Sequence, residues 1–210
     1  MQIAIALYPG FTALDFVGPY QVLSNVPGCE VVLCAEAPGT VTDDNGLLHV
    51  AVEHGLDAVP APDVLLVGGG PTSRVLAAAE GPIVEWIAKA HEHTTWTTSV
   101  CTGALLLGAA GLLDGKRATT HWSAYDELAS FGATPTEERI VFADRIVTGA
   151  GVSAGIDLAL TLVGRQFGPM VAEAVQLGIE YDPQPPFDAG SPAKAGPEIV
   201  ELVRAVTAGT

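Results

Sequence analysis

The sequence contains few basic residues. Nine lysines and arginines stand against 24 aspartates and glutamates, which leaves a formal net charge of −15. A chain this acidic repels the phosphates of nucleic acids and of anionic membranes, so we expect neither of them as a partner. The acidic side chains are expected to form a solvated surface.

Cysteine is also scarce. The three cysteines, Cys29, Cys34 and Cys101, form no CxxC pair and no cluster with metal-ligand spacing. Cys29 and Cys34 belong to one predicted strand, where their spacing points the two side chains to opposite faces, so both are interpreted as core residues. We therefore predict no metal and no cofactor. The unpaired cysteines are typical of a reducing compartment, which predicts a cytoplasmic location.

Long hydrophobic runs are absent as well. No apolar stretch reaches membrane-spanning length without a charge or a glycine, and residues 1–9 lack the basic region and the apolar length of a secretory signal. With 49% hydrophobic residues among 210, the chain can bury a sizeable core, and we predict a single domain over residues 1–210. Residues 182–197 are rich in proline and glycine and are expected to be irregular.

The most informative stretch that is present is TTSVCTGALLLG, residues 97–108. Residues 96–100 are rich in β-branched and aromatic side chains, which predicts a buried strand, and residues 104–107 are strong helix formers. Cys101 therefore lies at a sharp strand-to-helix corner, the position of a nucleophile elbow. It is either a nucleophile, with a pKa lowered by the helix N–H groups and dipole, or a small apolar core residue.

Two other features lie just beyond predicted strands. Asp15 falls in the first turn of a predicted helix that Thr12 can cap, so it is either a carboxylate that favours a helix N-terminus or a functional acid. Gly68-Gly69-Gly70 follows a predicted strand at residues 64–67. Such glycines either let a backbone approach a ligand and leave N–H groups free, or form a plain turn.

Predicted strands alternate with predicted helices along the whole chain. This order is typical of an α/β protein with a flavodoxin-like, mostly parallel sheet and helices on both faces. Ligands of such folds bind at the carboxyl ends of the strands. Four segments lie just beyond strand ends and are expected to meet at one edge of the sheet, with Asp15 above the first strand: Tyr8-Pro9-Gly10, Gly68-Gly69-Gly70, Cys101 and Gly149-Ala150-Gly151.

Several motifs together resemble the ThiJ/PfpI superfamily, which has the class I glutamine amidotransferase-like fold, and within it the isocyanide hydratase branch. The resemblance covers residues 4–192. The motifs are Leu14-Asp15 with Gly18-Pro19, SVCTG at 99–103, GKRATTHW at 115–122, AGID at 154–157 and PPFDAGSP at 185–192.

The resemblance implies roles for particular residues. Cys101 is similar to the family nucleophile, and Asp15 to its acid/base partner, where many members carry glutamate. Thr102 follows the cysteine where proteolytic members carry histidine, which argues against a protease-like Cys-His dyad. His121 is the nearby candidate for a triad histidine, but we favour a structural or pocket role for it. Val152 stands where the hydratase branch has isoleucine, a small change in the packing near the cysteine, and the resemblance implies that Val152 and His121 belong to the substrate- or oxyanion-binding pocket.

The implied activity is the hydration of an isocyanide to an N-substituted formamide by a homodimeric lyase without a cofactor. Cys101 would attack the terminal carbon and form a thioimidate. Asp15 would deliver a proton and then activate the water that displaces the thiol. Backbone N–H groups near Gly69, Gly70 and Thr102 would hold the thiolate or the developing negative charge. Thr102 would also take part in catalysis, with its hydroxyl group hydrogen-bonded to the sulfur.

Three alternatives to this activity are open. The first is another cysteine-dependent activity of the superfamily, such as glyoxalase or deglycase action on a reactive carbonyl compound. The second is a non-enzymatic sensor in which Cys101 is oxidised. The third is the ligand-sensing domain of an AraC-type regulator, which looks similar over this region, although the acidic composition counts against DNA binding.

Overall fold

A seven-stranded sheet forms the centre of the protein in the computed structural model, which describes residues 1–207. Its spatial strand order is β10-β11-β7-β6-β1-β2-β5, and every pairing is parallel except that of β10 with β11. The strands of this sheet are β1 (Gln2–Ala6), β2 (Glu30–Ala35), β5 (His54–Gly55), β6 (Val64–Val67), β7 (Trp96–Val100), β10 (Ile140–Ala143) and β11 (Ile146–Gly149).

Two small sheets accompany it. The hairpin of β3 (Gly39–Thr42) and β4 (His49–Val52) is antiparallel, as the turn residues between the two predicted strands indicate. The second small sheet pairs β8 (Arg117–Ala118) with β9 (Thr134–Pro135) in parallel.

Helices surround the sheet in two packed groups. One group is α1 (Ala13–Leu23), α6 (Ala154–Phe167) and α7 (Pro169–Gly178), and the other is α2 (Ser73–Ala79), α3 (Pro82–His91) and α4 (Gly103–Ala109). A further helix, α5 (Tyr125–Ser130), follows a 3₁₀ turn at Trp122–Ala124. This arrangement confirms the predicted fold class.

The central strands are buried because both faces of the sheet are covered. All four residues of β6 are buried, and so is β1 beyond Gln2, which is why these segments read as continuous apolar runs. Thr97, Thr98 and Ser99 of β7 are buried, and the hydroxyl groups of the two threonines have hydrogen-bond partners. Thr98 Oγ1, for example, donates to the carbonyl of Leu65 at 2.9 Å.

Helix α1 carries a proline in its interior, a residue that usually breaks or kinks a helix. It runs from Ala13 to Leu23 as one helix, with Pro19 inside it. Packing explains how the proline is accommodated, because a Cβ placed on Gly155 of α6 would lie only 3.0 Å from the Pro19 ring. The close contact between α1 and α6 outweighs the unfavourable helix propensity of proline.

The chain divides into two compact units, Met1–Ile179 and Glu180–Thr210. The single-domain interpretation of residues 1–210 therefore stays a prediction. In the second unit, the segment expected to be irregular contains one helical turn, α8 (Pro192–Ala195), and α9 (Pro197–Thr207) follows it. Proline at the first position of each helix explains their starts, because its fixed φ suits a helix N-terminus.

Within the part of the chain that the structure describes, no helix combines the length and the apolar character that a membrane span requires.

Candidate active site

The ends of three adjacent parallel strands bring the predicted site residues together. Gly68–Gly70 follows β6, and Cys101 follows β7. Asp15 reaches the same place from the first turn of α1 and accepts a hydrogen bond from the Gly69 N–H. The expectation that these residues meet at the carboxyl edge of the sheet is met by this geometry.

Cys101 has an unusual backbone conformation at the corner between β7 and α4. Its φ of 57° lies in the left-handed region, which few residues other than glycine adopt. The corner is fixed by its backbone, because the Cys101 N–H donates to the carbonyls of Gly149 and Ala150 at 3.1 and 3.0 Å. Thr120 Oγ1 donates to the Cys101 carbonyl at 2.8 Å. The backbone of Cys101 is therefore held at the strand end by the end of β11, by Ala150 after it and by the loop before α5.

The thiol of Cys101 is not activated in the way the sequence suggests. Burial and the neighbouring Asp15 carboxylate raise its pKa to about 12. The backbone N–H groups of Val152 and Thr102 and the Thr102 hydroxyl hydrogen-bond to the sulfur and lower the pKa, but they are outweighed. The expectation of a thiolate favoured by the helix N-terminus was wrong because the elbow is buried, with Cys101 only 6% exposed.

Asp15 is completely buried. Its Oδ2 accepts the Gly69 N–H at 2.6 Å, whereas Oδ1 makes no hydrogen bond to any described residue. Burial raises the pKa of this carboxyl group from 3.8 to about 7, although the Gly69 N–H and the Cys101 side chain oppose the rise. A carboxyl group that titrates near neutral pH beside a thiol is suited to proton transfer.

The interpretation of Asp15 as a carboxylate that favours a helix N-terminus explains its place in the first turn of α1, but not its burial or its contacts. Thr12 precedes α1, but its side chain makes no capping hydrogen bond, and Oγ1 instead donates to Asp44 Oδ2 at 2.7 Å. This contact connects the start of α1 to the loop between β3 and β4. Asp44 acts on the site through its charge, which raises the pKa of Asp15.

The N–H groups of the glycine loop are already used inside the protein. That of Gly69 donates to Asp15 Oδ2, and that of Gly70 donates to Thr102 Oγ1 at 3.0 Å. The expectation that Gly69 and Gly70 face a negative charge at the sulfur is therefore corrected, because the N–H groups at the sulfur come from Thr102 and Val152. Position 69 of this loop requires glycine, because a Cβ on Gly69 would lie 2.5 Å from the backbone nitrogen of Thr102.

Val152 contributes its backbone in a strained conformation. Its φ is 27°, which is a genuine outlier for a β-branched residue. The sequence analysis placed Val152 in the substrate- or oxyanion-binding pocket without identifying the contributing group, which is its N–H at the Cys101 sulfur. No residue pattern signals this conformation, because valine itself disfavours it.

His121 has a structural partner rather than a contact to the cysteine. Its Nδ1 hydrogen-bonds to Ser123 Oγ at 2.8 Å and accepts the Ser123 N–H at 3.4 Å, which caps the 3₁₀ turn at Trp122–Ala124. The ring packs on Gly151, where an added Cβ would meet Cδ2 at 2.6 Å. This geometry supports the structural or pocket role over membership of a triad.

Tyr8 is a buried polar residue that the sequence analysis did not single out. Its Oη donates to the Gly68 carbonyl at 2.9 Å. The available signal was its position directly after β1, at the same edge of the sheet as Gly68 and Cys101. Among residues 1–207, no group of histidine, cysteine and acidic side chains could hold a metal ion.

Comparison with known proteins places the chain in a family. The sequence profile of the DJ-1/PfpI family matches residues 1–165. The chain is 41% identical to the isonitrile hydratase of Pseudomonas putida over 97% of its own length and 89% of that protein.

Two further proteins are similar to the chain. A ThiJ/PfpI family protein of Pseudomonas syringae has a crystal structure with a TM-score of 0.94 and 39% identity, covering 99% of this chain and 86% of that one. The HTH-type transcriptional regulator CdhR of Pseudomonas aeruginosa is 32% identical over 80% of this chain, which spans only 52% of the regulator. The chain belongs to the DJ-1/PfpI family.

Proposed function

We propose that the protein is an isocyanide hydratase that converts an isocyanide and water into an N-substituted formamide. The observation that carries this proposal is the buried pair of Cys101 and Asp15, whose carboxyl group has one oxygen without a partner among the described residues. The identity of 41% to an isonitrile hydratase over nearly the whole chain supports the same substrate class.

In the first step, the Cys101 sulfur attacks the terminal carbon of the isocyanide. The pKa of about 12 keeps the thiol protonated at neutral pH, so ionised Asp15 accepts the thiol proton as the S–C bond forms. Protonated Asp15 then gives this proton to the carbon. The product is a thioimidate in which sulfur and hydrogen have both been added to the former isocyanide carbon.

In the second step, a water molecule adds to the thioimidate carbon. Asp15, again ionised, takes a proton from the water and passes it to the nitrogen, which regenerates the carboxylate. The tetrahedral intermediate collapses with formation of the C=O bond and cleavage of the C–S bond, and the proton of its hydroxyl group returns to the sulfur through Asp15. One isocyanide and one water have then become one formamide, and neither a metal nor a cofactor takes part.

The backbone donors at the sulfur have a distinct role in this scheme. The N–H groups of Thr102 and Val152 stabilise negative charge on the sulfur as it loses its proton and as it leaves the intermediate. Gly69 and Gly70 contribute indirectly, because they hold Asp15 and Thr102 in place. His121 forms part of the pocket wall beside Gly151.

The decisive experiment is formamide production from an aryl and an alkyl isocyanide by the parent, Cys101→Ala and Asp15→Asn proteins. We expect turnover by the parent and at least a hundred-fold loss, on the order expected for acid–base groups, in both variants. Retained activity in Asp15→Asn would return Asp15 to a structural role.

Methylglyoxal is the comparison substrate. Its turnover by a parent protein that does not convert isocyanides would replace the proposed activity with that of a glyoxalase. A stable sulfinate at Cys101 without turnover of either substrate would indicate a redox sensor.

We also propose that the protein is a cytoplasmic homodimer. The outer face of α1 exposes Leu14, Val17 and Tyr20, which are 41%, 37% and 39% accessible and lie along one side of the helix. A second copy would bury this apolar face.

Light scattering should give a dimeric mass for the parent and a monomeric mass for Val17→Glu, with Val75→Glu on α2 as the control. A monomeric parent would contradict the proposal, and cell fractionation tests the location.

A further inference from the structure

The peptide group that joins Gly68 to Gly69 is held on both sides. Its N–H donates to Asp15 Oδ2 at 2.6 Å, and its carbonyl oxygen accepts from Tyr8 Oη at 2.9 Å. In a planar trans peptide, the C=O and the N–H point in opposite directions. A hydrogen bond that fixes the carbonyl oxygen therefore also sets the direction of the N–H.

This peptide needs such a restraint. A Cβ on Gly68 would lie 2.8 Å from Asp15 Cβ, and one on Gly69 would lie 2.5 Å from Thr102 N, so both positions require glycine. Glycine also has the widest choice of backbone conformations, so its own sterics do not fix the plane of the peptide. In the flipped orientation, a carbonyl oxygen rather than an N–H would face Asp15 and repel its carboxylate.

We propose that Tyr8 is a positioning residue for Asp15, because its hydroxyl group holds the Gly68–Gly69 peptide with the N–H directed at Asp15 Oδ2. The proposal rests on the proposed role of Asp15 as the partner of Cys101. The hydrogen bond to the carbonyl also polarises the peptide, which makes its N–H a stronger donor. Tyr8 thereby favours the ionised form of Asp15, which is the form that accepts the thiol proton.

The surroundings of Tyr8 fit this role. Tyr8 is 4% exposed, and burial together with the nearby Asp15 and Cys101 raises its pKa well above 10.0, so the phenol stays protonated and able to donate. The titratable groups that act on Asp15 are Cys101 at the corner between β7 and α4, Asp44 in the loop between β3 and β4, and Tyr8 at the end of β1. Asp44 raises the pKa of Asp15 through its charge, whereas the Gly69 N–H and, less strongly, the Cys101 side chain lower it.

The test is a measurement of the pKa of Asp15 by carboxyl carbon NMR on the full chain labelled with ¹³C-aspartate. The signal is assigned by its loss in Asp15→Asn. In Tyr8→Phe, we expect the pKa of Asp15 to rise by about one pH unit, since an N–H that is no longer oriented stabilises the carboxylate less.

Thr98→Val is the matched control. It also removes one buried hydroxyl group that donates to a backbone carbonyl, that of Leu65 in the middle of the sheet, at 2.9 Å. We expect the pKa of Asp15 to be unchanged in this variant. An unchanged pKa in folded Tyr8→Phe overturns the proposal, and so does an equal rise in both variants.

A second measurement keeps every side chain of the parent protein close to its original size and shape. Biosynthetic replacement of the four tyrosines by 3-fluorotyrosine makes the phenol of Tyr8 a stronger donor. We expect the pKa of Asp15 to fall in this protein, and the absence of a fall overturns the proposal. Both titrations are made without substrate, so their outcome is independent of whether the protein hydrates isocyanides.

Discussion

The carboxyl group of Asp15 lies beside the thiol of Cys101, and solvent hardly reaches either of them. Burial is the main cause that raises the pKa of Cys101 to about 12, and the Asp15 carboxylate adds to it. Burial also raises the pKa of Asp15 to about 7. At neutral pH the thiol is therefore protonated, and Asp15 is the group beside it that can change its protonation state.

The pH dependence of formamide production should report the ionisation of Asp15. We expect kcat/KM to rise with pH with a midpoint at about 7, because only the ionised carboxylate can accept the thiol proton. The measurement is kcat/KM for an isocyanide from about pH 5 to about pH 9. Asp44→Asn should move the midpoint to lower pH, because the Asp44 carboxylate raises the pKa of Asp15. A flat profile would contradict the assignment.

The same carboxyl group should make the stability of the fold depend on pH. Since the pKa of Asp15 is raised from 3.8 to about 7, its contribution to stability is complete below 3.8 and is lost as pH rises to about 7. The full loss is on the order of 4 kcal/mol. Asp15→Asn removes this dependence, so the parent should lose stability relative to the variant as pH rises.

Urea unfolding at several pH values measures this difference. The free energy of unfolding of the parent minus that of Asp15→Asn should fall between about pH 4 and about pH 8 and then level off. Glu53→Gln, which changes an exposed carboxylate, serves as the control and should follow the parent. A constant difference between parent and Asp15→Asn would show that Asp15 titrates alike in the folded and unfolded states.

Local sequence was sufficient to place the catalytic candidates on the fold. The apolar runs of β1 and β6 and the β-branched and aromatic residues of β7 predict buried strands, and parallel strands bring the residues that follow them to the same edge of the sheet. Cys101, Gly69 and Asp15 could therefore be brought together without a structure. The uninterrupted course of α1 through Pro19 could not be predicted from local sequence. It depends on the contact of Pro19 with Gly155, which is distant in sequence.

The electrostatics of the site were less accessible to sequence analysis. A cysteine at a strand-to-helix corner suggests a low pKa, but the pKa depends on burial and on Asp15, and both arise from tertiary packing. The positive φ of Val152 contradicts the preference of its own residue type. Tyr8 acts through the carbonyl of Gly68, and no spacing rule connects these two residues.

The close packing of the glycine loop predicts a sharp response to one added methyl group. In Gly69→Ala, the new Cβ would meet the backbone nitrogen and Oγ1 of Thr102 at 2.5 Å, so the loop or the elbow has to move. We expect a loss of about 1–3 kcal/mol in the free energy of unfolding, as for other overpacked sites, and a large loss of formamide production.

Gly178→Ala is the matched control for this substitution. Nothing lies within 4 Å of the Cβ that would be added at Gly178 in α7, and the gain in helix propensity should leave the protein as stable as the parent or slightly more stable. Equal effects of the two substitutions in urea unfolding would mean that the contact between Gly69 and Thr102 is not tight.

The hydroxyl group of Thr102 should control both the reactivity of Cys101 and the order of the glycine loop. It accepts the Gly70 N–H at 3.0 Å, lies 3.4 Å from the Gly70 carbonyl oxygen, to which it can donate, and hydrogen-bonds to the sulfur, which lowers the pKa of the thiol. Thr102→Val keeps the shape of the side chain but removes all of these contacts. We expect slower alkylation of Cys101 by iodoacetamide at a fixed pH, and a loss of about 1–3 kcal/mol in stability because the buried Gly70 N–H is left without its partner.

Thr102→Ser distinguishes the hydroxyl group from the methyl group. Serine retains the oxygen at the same position, so the alkylation rate should return toward that of the parent, with Cys101→Ala as the blank that corrects for Cys29 and Cys34. If Thr102→Val, which keeps the methyl group, is alkylated as fast as the parent, the hydrogen bond from the hydroxyl group to the sulfur has no measurable effect on the thiol. A slow Thr102→Ser variant beside it would show that the methyl group acts through packing at the elbow.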